Sequence, residues 1–163
     1  MMRADPSADR VTVSEAVIDA GAALARFVEA CPGAGAVVSF TGLVRGATAK
    51  GSAAATVTSL TLSGYGGVTA ASMVAIAADA RGRFAVDDVC IIHRTGTMAP
   101  GEVIVFVAAA ASHRRAAFDA ADYMMDRLKT EAVLWKQEAG PGGTAWIEPR
   151  GADIADRARW GQA

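Results

Sequence analysis

The chain has 163 residues, of which 52% are hydrophobic and 20% charged, a composition typical of one compact globular domain. Its 16 Lys and Arg against 17 Asp and Glu give a formal net charge of −1, which predicts no binding to nucleic acid or to an anionic membrane surface. The longest apolar run, residues 103–111, is too short to span a membrane and the first ten residues lack a secretory signal, so a cytoplasmic location is expected.

The first half of the chain alternates predicted strands with two helices. Asp19 is a typical N-cap, because its carboxylate can accept a hydrogen bond from a free amide in the first helical turn, and Pro32 would stop that helix. Thr69 is the expected cap of the second helix, which Gly82 would end. The predicted elements are, in chain order, a strand at 11–16, a helix between Asp19 and Pro32, a mostly buried strand at 36–45, a mobile surface loop at 46–55, a strand at 57–62 and a helix at 70–81.

The second half predicts an antiparallel strand pair, a long helix and two further strands. The expected elements are strands at 89–93 and 103–110 around a Pro-Gly turn, a helix at 112–130, an inner strand at 133–138, a turn at 141–143 and a short strand at 146–148. Strands and helices mix without strict βαβ alternation, so the fold class is α+β. We expect one domain over residues 1–150, followed by a C-terminal tail at 151–163.

Positively charged side chains are unevenly placed and form a candidate anion-binding site. Arg45 closes one predicted strand, His113 and Arg114 open the long helix, Lys129 lies near its end, and Lys136 is on the next strand. The start of the long helix adds oriented amide groups, which favour a phosphate or a carboxylate.

Helix and strand periodicity place the two lysines at the edge of the core. Lys129 projects one turn beyond Met125, from a face beside the buried stripe of the helix. Lys136 shares its strand face with Leu134, so we expect it to be half-buried with a lowered pKa. Such lysines can stabilise charge on a phosphate or a tetrahedral oxyanion, or act as general acid, base or nucleophile. A purely structural interpretation stays open, because lysines near a helix end commonly complement the helix dipole.

The cysteines and histidines give no sign of a metal site. Cys31 and Cys90 are far apart, with no C-x-x-C or Cys/His cluster, and are interpreted as small buried hydrophobic residues. His93 and His113 lack the spacing and the Cys or Asp partners of a usual metal site, and His93 is expected to be a hydrogen-bonded strand histidine.

Several other residues favour a structural interpretation. Ser112 is expected to be a plain N-cap, since no G-x-S-x-G sequence surrounds it. The glycines at 64–67 fit a turn, because the lysine and the spacing of a phosphate-binding loop are missing. Trp135, Trp146 and Phe40 are interpreted as core or interface aromatics, with pocket lining as the less favoured alternative.

A family resemblance is carried by five strings that occur in order: GAVVSFTGLVR (35–45), IIHRTGTMAPGE (91–102), VAAAASHRRAAFDA (107–120), DRLKTEAVLWKQE (126–138) and WIEPR (146–150). Together they resemble the catalytic large subunit of molybdopterin synthase, over residues 11–150. The most specific parts are F-T-G-x-V-R, S-H-R, and L-K-T followed by W-K-x-E.

The resemblance implies an α/β-hammerhead-like fold, with a mixed, mainly antiparallel sheet and three main helices. It also implies a sulfurtransferase that converts cyclic pyranopterin monophosphate into molybdopterin by forming a dithiolene, as a step of molybdenum cofactor biosynthesis. The sulfur would come from the thiocarboxylated C-terminus of a small ubiquitin-like subunit. The implied assembly is a heterotetramer around a homodimer of large subunits, with no metal and no cofactor.

Roles for individual residues follow from the same resemblance. Lys129 and Lys136 match the family's two active-site lysines, with Lys129 beside the incoming thiocarboxylate. The other matches would bind substrate: Arg45, Phe40 and Met125 in the pocket, and His113, Arg114 and Arg150 contributed by the neighbouring large subunit to hold the pterin phosphate.

The chain departs from the family pattern at Ser63-Gly64 and at Thr97. These departures concern partner contacts or dimer packing more than the chemistry. Two alternatives stay open: a non-catalytic module that docks a ubiquitin-like Gly-Gly tail, and an unrelated phosphate-ester enzyme that uses the cationic pocket on a nucleotide.

Overall fold

The computed structural model describes residues 10–47 and 55–161. In this part of the chain the elements are β1 (Val11–Ser14), α1 (Ala20–Glu29), β2 (Ala36–Leu43), β3 (Ser59–Gly64), α2 (Gly66–Arg83), β4 (Asp88–Arg94), β5 (Gly96–Met98), β6 (Val103–Ala111), α3 (Arg114–Glu131), β7 (Leu134–Gly140), β8 (Gly143–Ile147) and α4 (Gly151–Ala158). The strands form two mainly antiparallel sheets, so the predicted α+β class is confirmed. Residues 48–54 of the predicted loop lie outside the described residues. None of the described helices is long and apolar enough to cross a membrane.

The first sheet has the strand order β1-β4-β6-β2, in which β1 is parallel to β4 and the other neighbours are antiparallel. The predicted antiparallel pairing of β4 with β6 is therefore confirmed. The side chains of β6 alternate between the two faces of the sheet: Val105, Val107 and Ala109 pack with α2 and α3, whereas Phe106 and Ala108 pack with α1. Because helices cover both faces, β6 is buried from its third residue onward.

The second sheet has the order β5-β3-β7-β8 and is antiparallel throughout. Its own small core contains Leu60, Leu62, Met98 and Val44. Strand β5 lies in the link between β4 and β6, where the sequence predicts only a turn. The prediction of β7 as an inner strand is confirmed, since it pairs with β3 on one side and β8 on the other.

Helix α2 begins at Gly66, three residues before the predicted cap. Thr69 lies in the first turn instead, where its Oγ1 accepts a hydrogen bond from the Tyr65 amide and donates one to the Val133 carbonyl, each at 2.7 Å. The threonine hydroxyl thus ties the start of α2 to the link between α3 and β7. At its other end the helix continues one residue past Gly82, which was expected to end it.

Two further predictions are wrong. The N-cap of α3 is His113 rather than Ser112, and its side chain makes no capping hydrogen bond. Strand β2 is not mostly buried, because it is an edge strand of the first sheet with Phe40 and Leu43 exposed.

The residues after 150, predicted as a tail, include α4, which packs against α3. Trp160 meets the rings of Phe84 and Tyr123 edge to face, with centroids 5.8 and 5.4 Å apart. Arg157 forms an ion pair with Glu131 in the last turn of α3. The C-terminal helix therefore belongs to the folded domain and covers the second half of α3.

Candidate active site

Lys136 is half-buried on the central strand β7 of the second sheet, as the strand alternation predicts. Burial lowers the pKa of Lys136, because the charged ammonium loses hydration. Glu138 opposes this change, Arg150 and Arg45 add to it, and Asp153 again opposes it. The structure thus brings Arg45, two residues after β2, and Arg150, the N-cap of α4, within electrostatic range of Lys136.

Lys129 lies in the last turn of α3, and its side chain is about half exposed. Its Nζ lies 3.2 Å from Oδ1 of Asp153, on the first turn of α4. The other carboxylate oxygen of Asp153 accepts a hydrogen bond from the Arg150 amide at 3.0 Å. Burial raises the pKa of Asp153, but the bonds from Arg150 and Lys129 outweigh that effect, so the pKa lies below its usual value.

Four of the predicted site residues therefore come together at the junction of α3, β7 and α4. We call Arg45, Lys129, Lys136 and Arg150 the cationic cluster. Asp153 is its acidic neighbour. It pairs with the Lys129 side chain, accepts a hydrogen bond from the Arg150 backbone amide, and interacts electrostatically with Lys136. Such a concentration of positive charge beside a half-buried lysine can bind a phosphate and stabilise a developing oxyanion.

Phe40 and Met125 are the two apolar residues predicted to line the pocket. Phe40 is on β2 and 42% exposed, whereas Met125 is half-buried and packs against the main core. The elements that carry them, β2 and α3, pack against each other. Their role in a pocket wall stays a prediction.

His113 and Arg114 lie at the opposite end of α3 from Lys129, and both are exposed. Arg114 and Lys129 are separated by 15 residues of one helix, which is about 22 Å at about 1.5 Å per residue. One chain therefore cannot bring the two ends of α3 to the same small ligand. Their predicted role requires a second copy of the chain.

The aromatic residues of the second sheet form a separate surface. Trp135 and Trp146 are 61% and 64% exposed, and their rings meet edge to face at 6.1 Å. Together with Ser63, Gly64 and Tyr65 they line a shallow, mostly apolar pocket. Neither tryptophan is a core residue of this chain, so that part of the interpretation is wrong. The interface alternative stays a prediction, and the less favoured alternative, pocket lining, agrees with their position. The departures at Ser63 and Gly64 lie here rather than in the cationic cluster.

The cysteines and His93 lie in partly or fully buried positions on the first sheet and near it. Cys31 and Cys90 are free and half-buried, and burial raises the pKa of Cys90 to about 11. Nδ1 of His93 donates a hydrogen bond to the Arg94 carbonyl at 3.0 Å, which confirms the predicted strand histidine. Burial also lowers the pKa of His93. Within residues 10–47 and 55–161, no group of three or more His, Cys, Asp or Glu side chains is arranged to hold a metal ion.

Residues 13–131 match the family model described as MoaE protein. The chain belongs to the MoaE family. This match contains Lys129 but ends before Lys136, Arg150 and α4.

Relatives in the MoaE family cover more of the chain than the family model does. A molybdopterin synthase catalytic subunit from Caulobacter vibrioides is 47% identical over 152 residues, which is 93% of this chain and 97% of the relative. The solved structure of a molybdopterin biosynthesis MoaE protein from Burkholderia ambifaria has a TM-score of 0.78 at 37% identity, covering 94% and 98% of the two chains. The fold also matches a complex of subunits 1 and 2 of molybdopterin-converting factor from Helicobacter pylori, with a TM-score of 0.69, 17% identity, and coverage of 86% and 91%. The family resemblance and the fold predicted from the sequence are confirmed.

Asp153 is the neighbour of the cationic cluster that the sequence interpretation did not name. Its signal is local: an acid three residues after Arg150 fits the first turn of a short helix. Its contact with Lys129, however, depends on how α4 packs against α3. That packing is set by long-range ion pairs and by Trp160, which no local pattern reveals.

Proposed function

We propose that this MoaE-family chain is the catalytic large subunit of a molybdopterin synthase. It converts cyclic pyranopterin monophosphate into molybdopterin by installing the two dithiolene sulfurs. The observation that carries the proposal is the cationic cluster, in which Lys136 is half-buried beside Arg45 and Arg150 while Lys129 is held by Asp153. These are the residues that the sequence strings align with the family's active-site lysines and arginines.

The substrate is an anionic pterin phosphate, and the arginines give it a complementary surface. Arg45 and Arg150 approach Lys136 from two different elements, so a phosphate between them is contacted from more than one side. Guanidinium groups stay charged at all relevant pH values and bind phosphate oxygens in pairs. We assign phosphate and pterin binding to these arginines.

The sulfur donor is the thiocarboxylated C-terminus of a small ubiquitin-like subunit. The thiocarboxylate sulfur displaces an oxygen substituent of the pterin side chain and so forms a thioester. Water then attacks the acyl carbon of this thioester and gives a tetrahedral oxyanion that an ammonium group stabilises. Breakage of the acyl C–S bond leaves the sulfur on the pterin. Lys129, half exposed at the end of α3, is placed for this role. Each sulfur transferred leaves one carboxylate on the small subunit. Two thiocarboxylated small subunits are therefore consumed for each dithiolene.

Lys136 is suited to move a proton. Because burial and the neighbouring arginines lower its pKa, a larger fraction is neutral near pH 7 than for an ordinary lysine. The cysteines are not needed as sulfur carriers on this route. The raised pKa of Cys90 agrees with that, since a protonated thiol is a poor nucleophile.

The assembly that completes the site is a homodimer of large subunits within a heterotetramer. Arg114 is about 22 Å along α3 from Lys129, and His113 comes just before it. In this proposal both residues serve the site of the neighbouring chain. The phosphate would then be held by one chain's cluster and the other chain's α3 N-terminus, where free amide groups also favour an anion.

The test is reconstitution from three components: this protein, a thiocarboxylated small subunit and cyclic pyranopterin monophosphate. The proposal predicts dithiolene product within a single turnover. If no product forms while the two proteins still elute together on a sizing column, the chain is a docking module for a ubiquitin-like tail and the proposal is wrong.

Titration calorimetry tests the nucleotide alternative. The pterin phosphate should bind more tightly than common nucleotides at equal ionic strength. Tight nucleotide binding without a response to the pterin would instead assign the cluster to a phosphate-ester enzyme.

A further inference from the structure

Asp153 lies at the centre of the contacts that hold the cationic cluster together. Oδ1 pairs with Nζ of Lys129 at 3.2 Å, and Oδ2 accepts the amide of Arg150 at 3.0 Å. Its side chain is only 20% exposed, whereas that of Lys129 is 51% exposed. The more buried carboxylate thus offers the more exposed lysine a fixed partner.

Helix α4 is also held on α3 by contacts that do not involve Asp153. Arg157 pairs with Glu131, and Asp126 accepts hydrogen bonds from Nη2 of Arg159 at 2.8 Å and from Nε1 of Trp160 at 2.7 Å. These contacts lie at the C-terminal end of α4 and just after it, beyond Asp153. The helix therefore presents Asp153 to Lys129 from an independently anchored support.

We propose that Asp153 is a positioning residue of the reaction, which fixes the ammonium of Lys129 and the first turn of α4 that carries Arg150. This inference rests on the proposed function, because it concerns the same site. It adds a residue from the C-terminal helix, outside the part of the chain matched by the family model.

The charges around Lys136 support the same role. Arg45, after β2, and Arg150, before α4, favour the neutral lysine, whereas Glu138 on β7 and Asp153 on α4 favour the charged form. Removal of the Asp153 charge takes away one of the two opposing acids. The pKa of Lys136 should then fall further below its ordinary value, whichever protonation state the reaction needs.

Asp153→Asn is the decisive variant, because an amide oxygen still accepts the Arg150 amide while the negative charge is lost. We expect kcat to fall by about 10- to 100-fold, given that a misplacement of about 1 Å can cost about 100-fold. The limb of the pH–rate profile that reports the pKa of Lys136 should also move to lower pH. This is the acidic limb if the reaction needs the neutral lysine and the alkaline limb if it needs the charged one. Asp153→Ala removes both contacts and should additionally raise KM for the pterin phosphate.

The matched control is Asp156→Asn, which removes the same charge from an exposed position of α4. It should leave kcat, KM and the pH profile at wild-type values. Thermal unfolding of all three variants separates loss of fold from loss of positioning, and Asp153→Glu should restore part of the rate if a carboxylate is what matters.

Two outcomes distinguish the inference from the proposed function. If wild-type protein makes product and Asp153→Asn has the wild-type kcat and pH profile, the positioning role is wrong and the proposed function stands. If wild-type protein makes no product, the proposed function fails, and this role fails with it.

Discussion

The indole Nε1 of Trp160 donates a 2.7 Å hydrogen bond to Oδ2 of Asp126, a buried carboxylate in the middle of α3. The same oxygen accepts Nε and Nη2 of Arg159 at 3.1 and 2.8 Å. One carboxylate therefore anchors the end of the chain against the helix that carries Lys129. The candidate site depends on this anchor, since α4 supplies Asp153 and follows Arg150 directly.

Replacing Asp126 by Ala should lower the free energy of unfolding by about 2–4 kcal/mol, because a guanidinium and an indole N–H lose a buried acceptor. Urea titration measures the change. Asp122→Ala is the control, since Asp122 pairs with the same Arg159 but from an exposed position, and it should cost less than about 1 kcal/mol. Equal losses in the two variants would contradict the role of Asp126 as the anchor.

Lys136→Met should stabilise the protein near pH 7. Because the pKa of Lys136 in the folded chain lies below the ordinary value of 10.5, its protonated form is disfavoured by folding. This cost is fully present below the folded pKa and disappears as the pH rises from there toward 10.5. The melting temperature should therefore increase by a few degrees at pH 7, with a smaller gain at pH 10, while turnover is lost.

The pH dependence is the sharper part of that experiment. A gain in melting temperature that stays constant from pH 7 to pH 10 would mean better apolar packing by Met rather than relief of a buried charge. A loss of stability at pH 7 would contradict the burial cost altogether.

Mixed dimers should test whether His113 and Arg114 serve the neighbouring site. Lys129→Ala and Arg114→Ala proteins are each expected to be inactive, but a mixture allowed to exchange subunits should regain activity. Random pairing makes about half of the dimers mixed, and each of these has one intact site, so about a quarter of the wild-type rate is expected. A mixture of Lys129→Ala with Lys136→Ala is the control and should stay inactive, because both changes affect the site of the same chain.

The two glycines before β2 should differ in their tolerance of a side chain. A Cβ at Gly35 would lie 2.3 Å from the carbonyl oxygen of Ser112, whereas a Cβ at Gly33 would have nothing within 4 Å. Gly35→Ala should therefore lower the free energy of unfolding by at least about 1–3 kcal/mol, and Gly33→Ala should be neutral or slightly stabilising. Urea titration of the pair is the check, and equal stability of both variants would contradict the close approach of β2 to the start of α3.

The features predicted correctly from the sequence are those fixed by local chemistry. Asp19 accepts the amide of Ala22 at 2.9 Å as the N-cap of α1, because a short acidic side chain meets that amide within one turn. The buried stripe of α3 and the half-buried Lys136 follow from helix and strand periodicity. Each needs only a few neighbouring residues to be specified.

The features that the sequence did not predict depend on distant partners. Strand β5 has only three residues, and it is a strand because it pairs with β3. The exposure of Phe40 follows from the edge position of β2, which composition does not reveal. Asp153 lies beside the cationic cluster because distant contacts, among them that of Trp160 with Asp126, dock α4 on α3.

The most direct test of the central claim is a single-turnover assay of Lys129→Ala with thiocarboxylated small subunit and cyclic pyranopterin monophosphate. Arg26→Ala is the control, because it removes a positive charge from α1, which packs on the first sheet away from the cluster. The account predicts that Lys129→Ala forms dithiolene at least about 100-fold more slowly than wild type and still binds the small subunit. Arg26→Ala should form dithiolene at the wild-type rate. Dithiolene formation by Lys129→Ala at the wild-type rate would contradict the account.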